Sequence, residues 1–351
     1  MPTGSRDPDV LLDWILNSMG LVRRRSGWAG TQDQNSAIHR IMREALLPEP
    51  LRGWDSTEIG KHTGLSKTGI HHQMAKLKDC GLVSTKVEGK WHRHILRGGS
   101  MSAAAGLVKS EATAVLKMRL KAASQLIEHS ETRMVTEVEE DPISFHIRIS
   151  ELGPSGDGFD SITALVSDFG LAGGSPRSGG KLAREVLEEL SANHHPTTIL
   201  ALSEKLSESR GRVGTIVDRM RSAGFVERVP MVSRLPQDIF SGLVRQLDAR
   251  GEGWLMTRGG LGRLEESVSS AMIAAAGKGE LTIEAVTDIL SSVPIQDQRV
   301  LLNTLGGRMP YGVRVTGSDG NAVSQRVSRQ ADRALRRILT VSERLDESLS
   351  E

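Results

Sequence analysis

The sequence predicts a mainly α chain with small β-hairpins, an α+β class, and three observations lead to this prediction. Apolar residues recur at steps of three or four along most of the 351 residues, which is typical of amphipathic helices. Short alternating runs flank two turns, Glu88-Gly89 and Glu139-Glu-Asp-Pro142, which is typical of hairpins. A stretch that begins at Ser66 returns at Ser209 with the same spacing. We therefore expect two similar compact units, a central helix and hairpin region, and a C-terminal helix.

Composition excludes several classes of protein. The 45 Lys and Arg residues nearly balance 43 Asp and Glu residues, which argues against a polybasic tail protein. The single cysteine, Cys80, excludes a disulfide framework and predicts a cytoplasmic protein in a reducing compartment. No run approaches the roughly 18 apolar residues of a membrane span, so no membrane contact is expected. Aromatic residues are only 3% of the chain, which leaves little for stacking on single-stranded nucleic acid.

The chain divides into six predicted segments. They are an N-terminal amphipathic helix with a basic cluster (1–34), a first compact unit (35–100), a long helix with a β-hairpin (101–170), a linker (171–180), a second compact unit (181–267) and a C-terminal helical region (268–351). The hairpin of the middle region is predicted at 133–138 and 144–149. This region is acidic, so we expect it to meet an effector or a protein partner rather than phosphates. The final helix, 321–349, carries an apolar stripe that suits a dimer seam.

The most informative segment runs from Asp55 to Val83 and reads as two short helices joined by a tight turn. Asp55 or Ser56 is a suitable cap for the first helix, and Gly64 provides a left-handed turn residue. Ser66 then caps the second helix. At about 100° per residue, Ile70, Met74 and Leu77 point inward, and Lys67, Thr68, His71 and His72 fall mainly on the outer face.

A hairpin is predicted after the second helix. Two alternating runs, 82–87 and 90–95, flank a turn at Glu88-Gly89, and Lys90 and Arg93 make the second run basic. Residues 55–97 contain eight Lys or Arg and four acidic residues. None of these acids falls at the predicted outer positions of the second helix, so this segment favours a nucleic-acid partner.

This run resembles the winged helix-turn-helix of the ArsR/MarR-type transcription regulators. The resemblance covers residues 35–97, about a sixth of the chain. It implies that the outer residues of the second helix enter the major groove, and that Lys90 and Arg93 reach phosphate or the minor groove. Lys76 is expected to bind phosphate, and Ser66 lies at the start of the same helix. The family positions are filled here by Ile59, Gly64, Leu65, Ser66, Ile70, His71, Met74, Leu77, Gly81, Leu82 and Val83.

A second winged helix-turn-helix is predicted over 181–267. The capping serine recurs as Ser209, and the spacing from Ser209 to Gly224 equals the spacing from Ser66 to Gly81. Residues 254–257 resemble the second wing strand of MarR-type domains, although about 25 residues would separate the two wing strands, far more than a hairpin turn. Ser207-Glu208 replaces the Gly-Leu turn. The second unit's candidate DNA contacts are Arg210 and Arg212.

The sequence therefore predicts a sequence-specific transcription regulator that binds double-stranded DNA as a homodimer, with no cofactor and no enzymatic activity. The alternative is a tandem winged-helix scaffold, or a basal transcription or chromosome component, that binds proteins or DNA without sequence preference. A metal site is a weaker interpretation, because the spacing of the candidate ligands along the sequence does not bring them together. Its candidate ligands are Cys80, His62, His71, His72, His92 and His94.

Overall fold

The computed structural model describes residues 2, 4–22, 36–89, 91–127, 146–149, 161–172, 176–193 and 195–351. Its fold is mainly helical, with two small antiparallel sheets of two strands each. None of the helices in these ranges is both long and apolar enough to cross a bilayer. The α+β class predicted from the sequence is confirmed.

The first half of the chain contains five α-helices and one hairpin among its described residues. They are α1 (Pro8–Ser18), α2 (Ala37–Ile41) with a π-helical turn (Met42–Leu46), α3 (Ser56–Thr63), α4 (Lys67–Asp79), β1 (Val83–Glu88), β2 (Trp91–Leu96) and α5 (Met101–Ser124). The long helix predicted at 103–129 is thus confirmed as α5. The predicted strand at 133–138 lies outside the described residues, and no strand occurs at 146–149.

The second half repeats this order and adds four helices. Its elements are α6 (Ser161–Asp168), α7 (Pro176–Ala192), α8 (Ile199–Lys205), α9 (Arg210–Ala223), β3 (Val226–Pro230), α10 (Leu235–Thr257), α11 (Glu266–Gly277), α12 (Ile283–Leu290), α13 (Ile295–Thr304), β4 (Tyr311–Val315) and α14 (Gly320–Ser350). The predicted linker at 171–180 is shorter than expected, because α7 already begins at Pro176.

Matching backbone hydrogen bonds show that the second half repeats the first. Trp54 forms a two-bond bridge with His94, and Thr197 forms the same bridge with Val313. The spacing from Trp54 to Thr197 equals that from Ser66 to Ser209, and we call it the first offset. The spacing from His94 to Val313 is longer, and we call it the second offset. These two offsets relate three further contacts in the first half to equivalents in the second. The hydrogen bond from Leu82 N to Leu77 O recurs from Phe225 N to Met220 O, and the one from Arg97 N to Leu82 O recurs from Thr316 N to Phe225 O. The strand pair Val83–Leu96 recurs as Val226–Val315.

The second offset exceeds the first because a helical module is inserted between β3 and β4. Helices α10–α13 contact one another, and their apolar residues form a buried cluster separate from the main core, with Leu243, Met272 and Leu301 among its members. The predicted second wing strand at 254–257 is therefore wrong: this segment ends helix α10. The strand that pairs with β3 is β4, which follows the whole module along the chain.

Helices α5 and α14 make the most extensive helix contact among the described elements. They run antiparallel, since Asp346 near the end of α14 accepts hydrogen bonds from Met101 N and Ser102 N at the start of α5, at 3.0 and 2.8 Å. The apolar stripe of α14 is buried within this one chain, for example at Val327 and Val341. The predicted dimer seam on this stripe is therefore wrong, because α5 and α1 of the same chain occupy it.

Candidate nucleic-acid interface

Local capping fixes the angle between α3 and α4. Asp55 Oδ1 accepts from Thr57 N at 2.7 Å and Glu58 N at 2.9 Å, and Glu58 Oε2 accepts from Asp55 N at 3.2 Å, which completes a capping box. Gly64 has φ 64° and ends α3. Ser66 Oγ then accepts from Gly69 N at 3.2 Å and starts α4. The helix ends at this turn are therefore capped by their own neighbours.

Helix α4 buries one face and exposes the other. Ile70, Met74 and Leu77 are at most 2% exposed. Lys76 is half-buried. The remaining candidate residues on the helix, together with its cap, form an outer face that we call the α4 polar face: Ser66, Lys67, Thr68, His71 and His72, all exposed.

The hairpin β1–β2 lies beside this helix. Its register pairs Val83 with Leu96 at the base and Glu88 with Trp91 near the tip, while the bridge to Trp54 adds a third strand position. Lys90 lies outside the described residues. The exposed side chains at the tip include Val87, at 63%, and Trp91, at 49%. Trp91 is not among the residues predicted from the sequence, although its place beside the Glu88-Gly89 turn marks it as a tip residue.

Arg93 binds groups at the start of α3. Its guanidinium donates to Gly53 O at 3.2 Å and pairs with Glu58 at 3.2 Å and Asp55 at 3.4 Å. Burial alone would raise the pKa of Asp55, but the backbone N–H groups of Glu58 and Thr57, together with Arg93, lower it overall. Arg93 therefore joins the hairpin to α3. Two acidic groups already bind its guanidinium, and its contact with phosphate or the minor groove stays a prediction.

The other histidines and the cysteine do not converge. Burial, followed by the charge of Lys78, lowers the pKa of His94 to about 4, and its Nδ1 lies 2.9 Å from Thr85 Oγ1. His92, on the same strand, is exposed. Burial raises the pKa of the Cys80 thiol to about 12. Within the ranges that the structure describes, no three His, Cys, Asp or Glu residues are grouped to hold a metal ion.

The second unit presents α9 in the place of α4. Ser209 Oγ caps it by accepting from Arg212 N at 3.4 Å, and Arg210 is exposed at its first position. Arg212 is also exposed but pairs with Glu208 at 2.6 Å. Arg219, whose pKa is lowered by burial, donates to Leu171 O at 3.4 Å. The accessible part of this helix is therefore its first half.

Comparison with known proteins finds no relative of this chain. No protein-family model matches the chain, and no curated protein or solved structure is significantly similar to it.

Proposed function

We propose that the protein is a sequence-specific DNA-binding transcription regulator that inserts α4 into the major groove. The observation that carries the proposal is the α4 polar face, which is exposed on a helix held by a buried aliphatic underside and a capped turn. The major groove admits an α-helix, and lysine and hydroxyl side chains can contact base edges there. Imidazole can donate or accept a hydrogen bond in the same way.

The arrangement of elements supports the same proposal. A helix, a bridging strand residue, two helices joined by a three-residue turn, and a hairpin follow one another from Ala37 to Leu96. This is the order expected of a winged helix-turn-helix, and it agrees with the resemblance to the ArsR/MarR-type regulators. In this proposal Lys67, Thr68, His71 and His72 read bases, and phosphate contacts come from Lys76, Lys90 and the second unit.

Charge also favours a polyanion. Two of the four acidic residues between 55 and 97, Asp55 and Glu58, lie at the start of α3 and are neutralised by pairing with Arg93. Each phosphate contact releases a counterion, so affinity should fall steeply with salt, with a slope of about 0.9 per contact.

The test begins with genome-wide mapping of bound fragments, which supplies a defined duplex. On that duplex and on a random one, Lys67→Ala and His71→Ala should each reduce the specific affinity more than the random affinity. Lys278→Ala is a matched control, because Lys278 is exposed in the inserted module. Equal loss on both duplexes would remove the base-reading role from α4, and absence of binding to any duplex at low salt would reject the proposal.

A second candidate is a winged-helix scaffold that binds proteins. Two exposed apolar side chains near the hairpin tip, Val87 and Trp91 on its opposite faces, favour it, because exposed apolar groups commonly mark protein contacts. Co-purification with polymerase or chromosome proteins, abolished by Trp91→Ser, together with no sequence preference on DNA, would support the scaffold over the regulator.

A further inference from the structure

We infer that one chain supplies both halves of a dimer-like DNA-binding unit and binds, as a monomer, a duplex with two unlike half-sites. Helix α4 reads the sequence of one half-site, and α9 holds the other through the sugar-phosphate backbone. The inference rests on the proposed function and specifies its substrate: an asymmetric bipartite site rather than a palindrome.

The first step is that α5 and α14 are equivalent helices that pair with each other. A short connection of equal length joins each of them to its wing strand, with Ser100 or Asp319 as the N-cap. The antiparallel contact joins Leu120 O to Ser324 Oγ at 3.1 Å near one end. Six positions related by the second offset are buried in both helices: Met101 and Gly320, Ala104 and Val323, Val108 and Val327, Ala112 and Ala331, Leu116 and Leu335, and Arg119 and Ile338.

Burial of the same face on two antiparallel helices is what a two-fold axis between equal subunits produces. The flanking helices follow the same relation, since α1 contacts α14 and α6 contacts α5. Both of these helices end on a glycine of positive φ, Gly20 at 66° and Gly170 at 60°. His146 lies against both glycines. Helices α4 and α9 therefore occupy equivalent places on either side of the α5–α14 pair.

The second step is that α4 and α9 differ chemically at their exposed positions. Lys67 corresponds to Arg210, so both helices begin with a cation. Three further equivalents remove bulk from α9: Thr68 corresponds to Gly211, His71 to Gly214, and His72 to Thr215. One adds bulk, since Gly69 corresponds to Arg212, which is paired with Glu208. Helix α9 thus lacks the side chains that would distinguish bases at two of these positions but keeps a charge for phosphate.

Packing within the chain does not require the two glycines. A Cβ on Gly211 would meet no atom within 4 Å, and one on Gly214 would meet only Ile199 Cγ2, at 3.9 Å. Glycine in a helix interior is destabilising relative to alanine. The absence of a side chain at 211 and 214 does allow the helix backbone to approach a duplex backbone beside Arg210 and Arg212, which gives these glycines a role in binding.

The second wing is unlike the first as well. Between β3 and β4 the chain forms the helical module α10–α13 in place of a short basic hairpin. Residues 235–305 contain nine acidic and six basic residues, so this module does not favour phosphates. In this inference the first unit therefore provides a helix and a hairpin that recognise the base sequence, and the second provides a helix that binds the phosphate backbone.

The first experiment measures stoichiometry and asymmetry with the full chain. Light scattering should give a monomer alone and one chain per mapped duplex. Scrambling the half-site under α4 should weaken binding by about tenfold or more. Scrambling the half-site one helical turn away should change the affinity by less than about threefold, since α9 binds the phosphate backbone and tolerates any sequence. Two chains on one palindromic duplex, or equal sensitivity of both half-sites, would overturn the inference while leaving the proposed function intact.

The second experiment changes α9 itself. The variant Gly211→Thr/Gly214→His/Thr215→His gives α9 three of the four groove residues of α4 and keeps Arg210 in the place of Lys67. It should gain at least about tenfold on a palindrome of the α4 half-site. The control Gly211→Ala/Gly214→Ala should melt at a higher temperature yet bind every duplex more weakly. Helix content by circular dichroism checks folding. Unchanged affinity of the alanine variant, or no gain on the palindrome by the folded triple variant, would overturn the inference.

Discussion

Ser207 adopts the left-handed backbone conformation of Gly64, its equivalent in the first unit. Their φ angles are 52° and 64°, and Ser207 is the one non-glycine residue with positive φ among those that the structure describes. The second turn therefore keeps the geometry of the first without glycine. For a residue with a Cβ this conformation costs roughly 1–2 kcal/mol.

Replacing Ser207 with glycine should stabilise the protein. We expect Ser207→Gly to raise the free energy of unfolding by about 0.5–1 kcal/mol, because relief of strain exceeds the greater entropy of the unfolded chain. Thermal or urea unfolding measures the change. Gly64→Ala, as the converse variant, should destabilise by about 1 kcal/mol or more. Lower stability of Ser207→Gly would contradict the shared geometry.

Arg93 should behave as a structural residue. We expect Arg93→Gln to lower the free energy of unfolding by about 1 kcal/mol, because Asp55 and Glu58 lose their partner. The salt dependence of duplex binding should stay unchanged in this variant. Lys86→Gln is the control on the same hairpin, since Lys86 is exposed and should have little effect on stability. A reduced salt slope for Arg93→Gln would instead place Arg93 on phosphate.

The contribution of the contact between α14 and the start of α5 to the free energy of unfolding should be measurable by substituting Asp346. Removing its carboxylate with Asp346→Ala should destabilise the chain by about 1–2 kcal/mol, because Met101 N and Ser102 N lose a charged acceptor at a helix N-terminus. Asp332→Ala removes an acid from an exposed pair with Arg336 and should change stability by less than about 0.5 kcal/mol. Equal effects of the two variants would argue against the antiparallel pairing.

Stability should depend on pH through His94. Because burial lowers its pKa to about 4, protonation favours the unfolded state, where the pKa is about 6.5. Its contribution is fully present above pH 6.5 and is lost progressively as the pH falls towards 4. Unfolding free energies of the wild type and of His94→Gln, measured across this range, should converge at low pH. A constant difference between them would contradict a buried neutral imidazole, and His92→Gln, on an exposed histidine, serves as the control.

Local patterns in the sequence were sufficient for most helices and for the first unit. Capping residues and three-four periodicity predicted α3, α4, α5 and α14 closely, because a helix satisfies its hydrogen bonds within its own segment. The spacing from Ser209 to Gly224, which equals the spacing from Ser66 to Gly81, was sufficient to predict the internal repeat. The outer face of α4 followed from helix geometry alone, and its side chains are exposed in the structure.

Tertiary structure alone decided which partners these elements take. Residues 254–257 read equally well as a strand or as the end of a helix, since a short apolar run has no clear period. The partner of β3 lies beyond an inserted module, and nothing local to β3 encodes it. The stripe on α14 would look identical whether it faced a second chain or α5, because periodicity records that a face is buried but not against what. Arg93 lies beside Asp55 and Glu58 only once the hairpin has folded back onto α3.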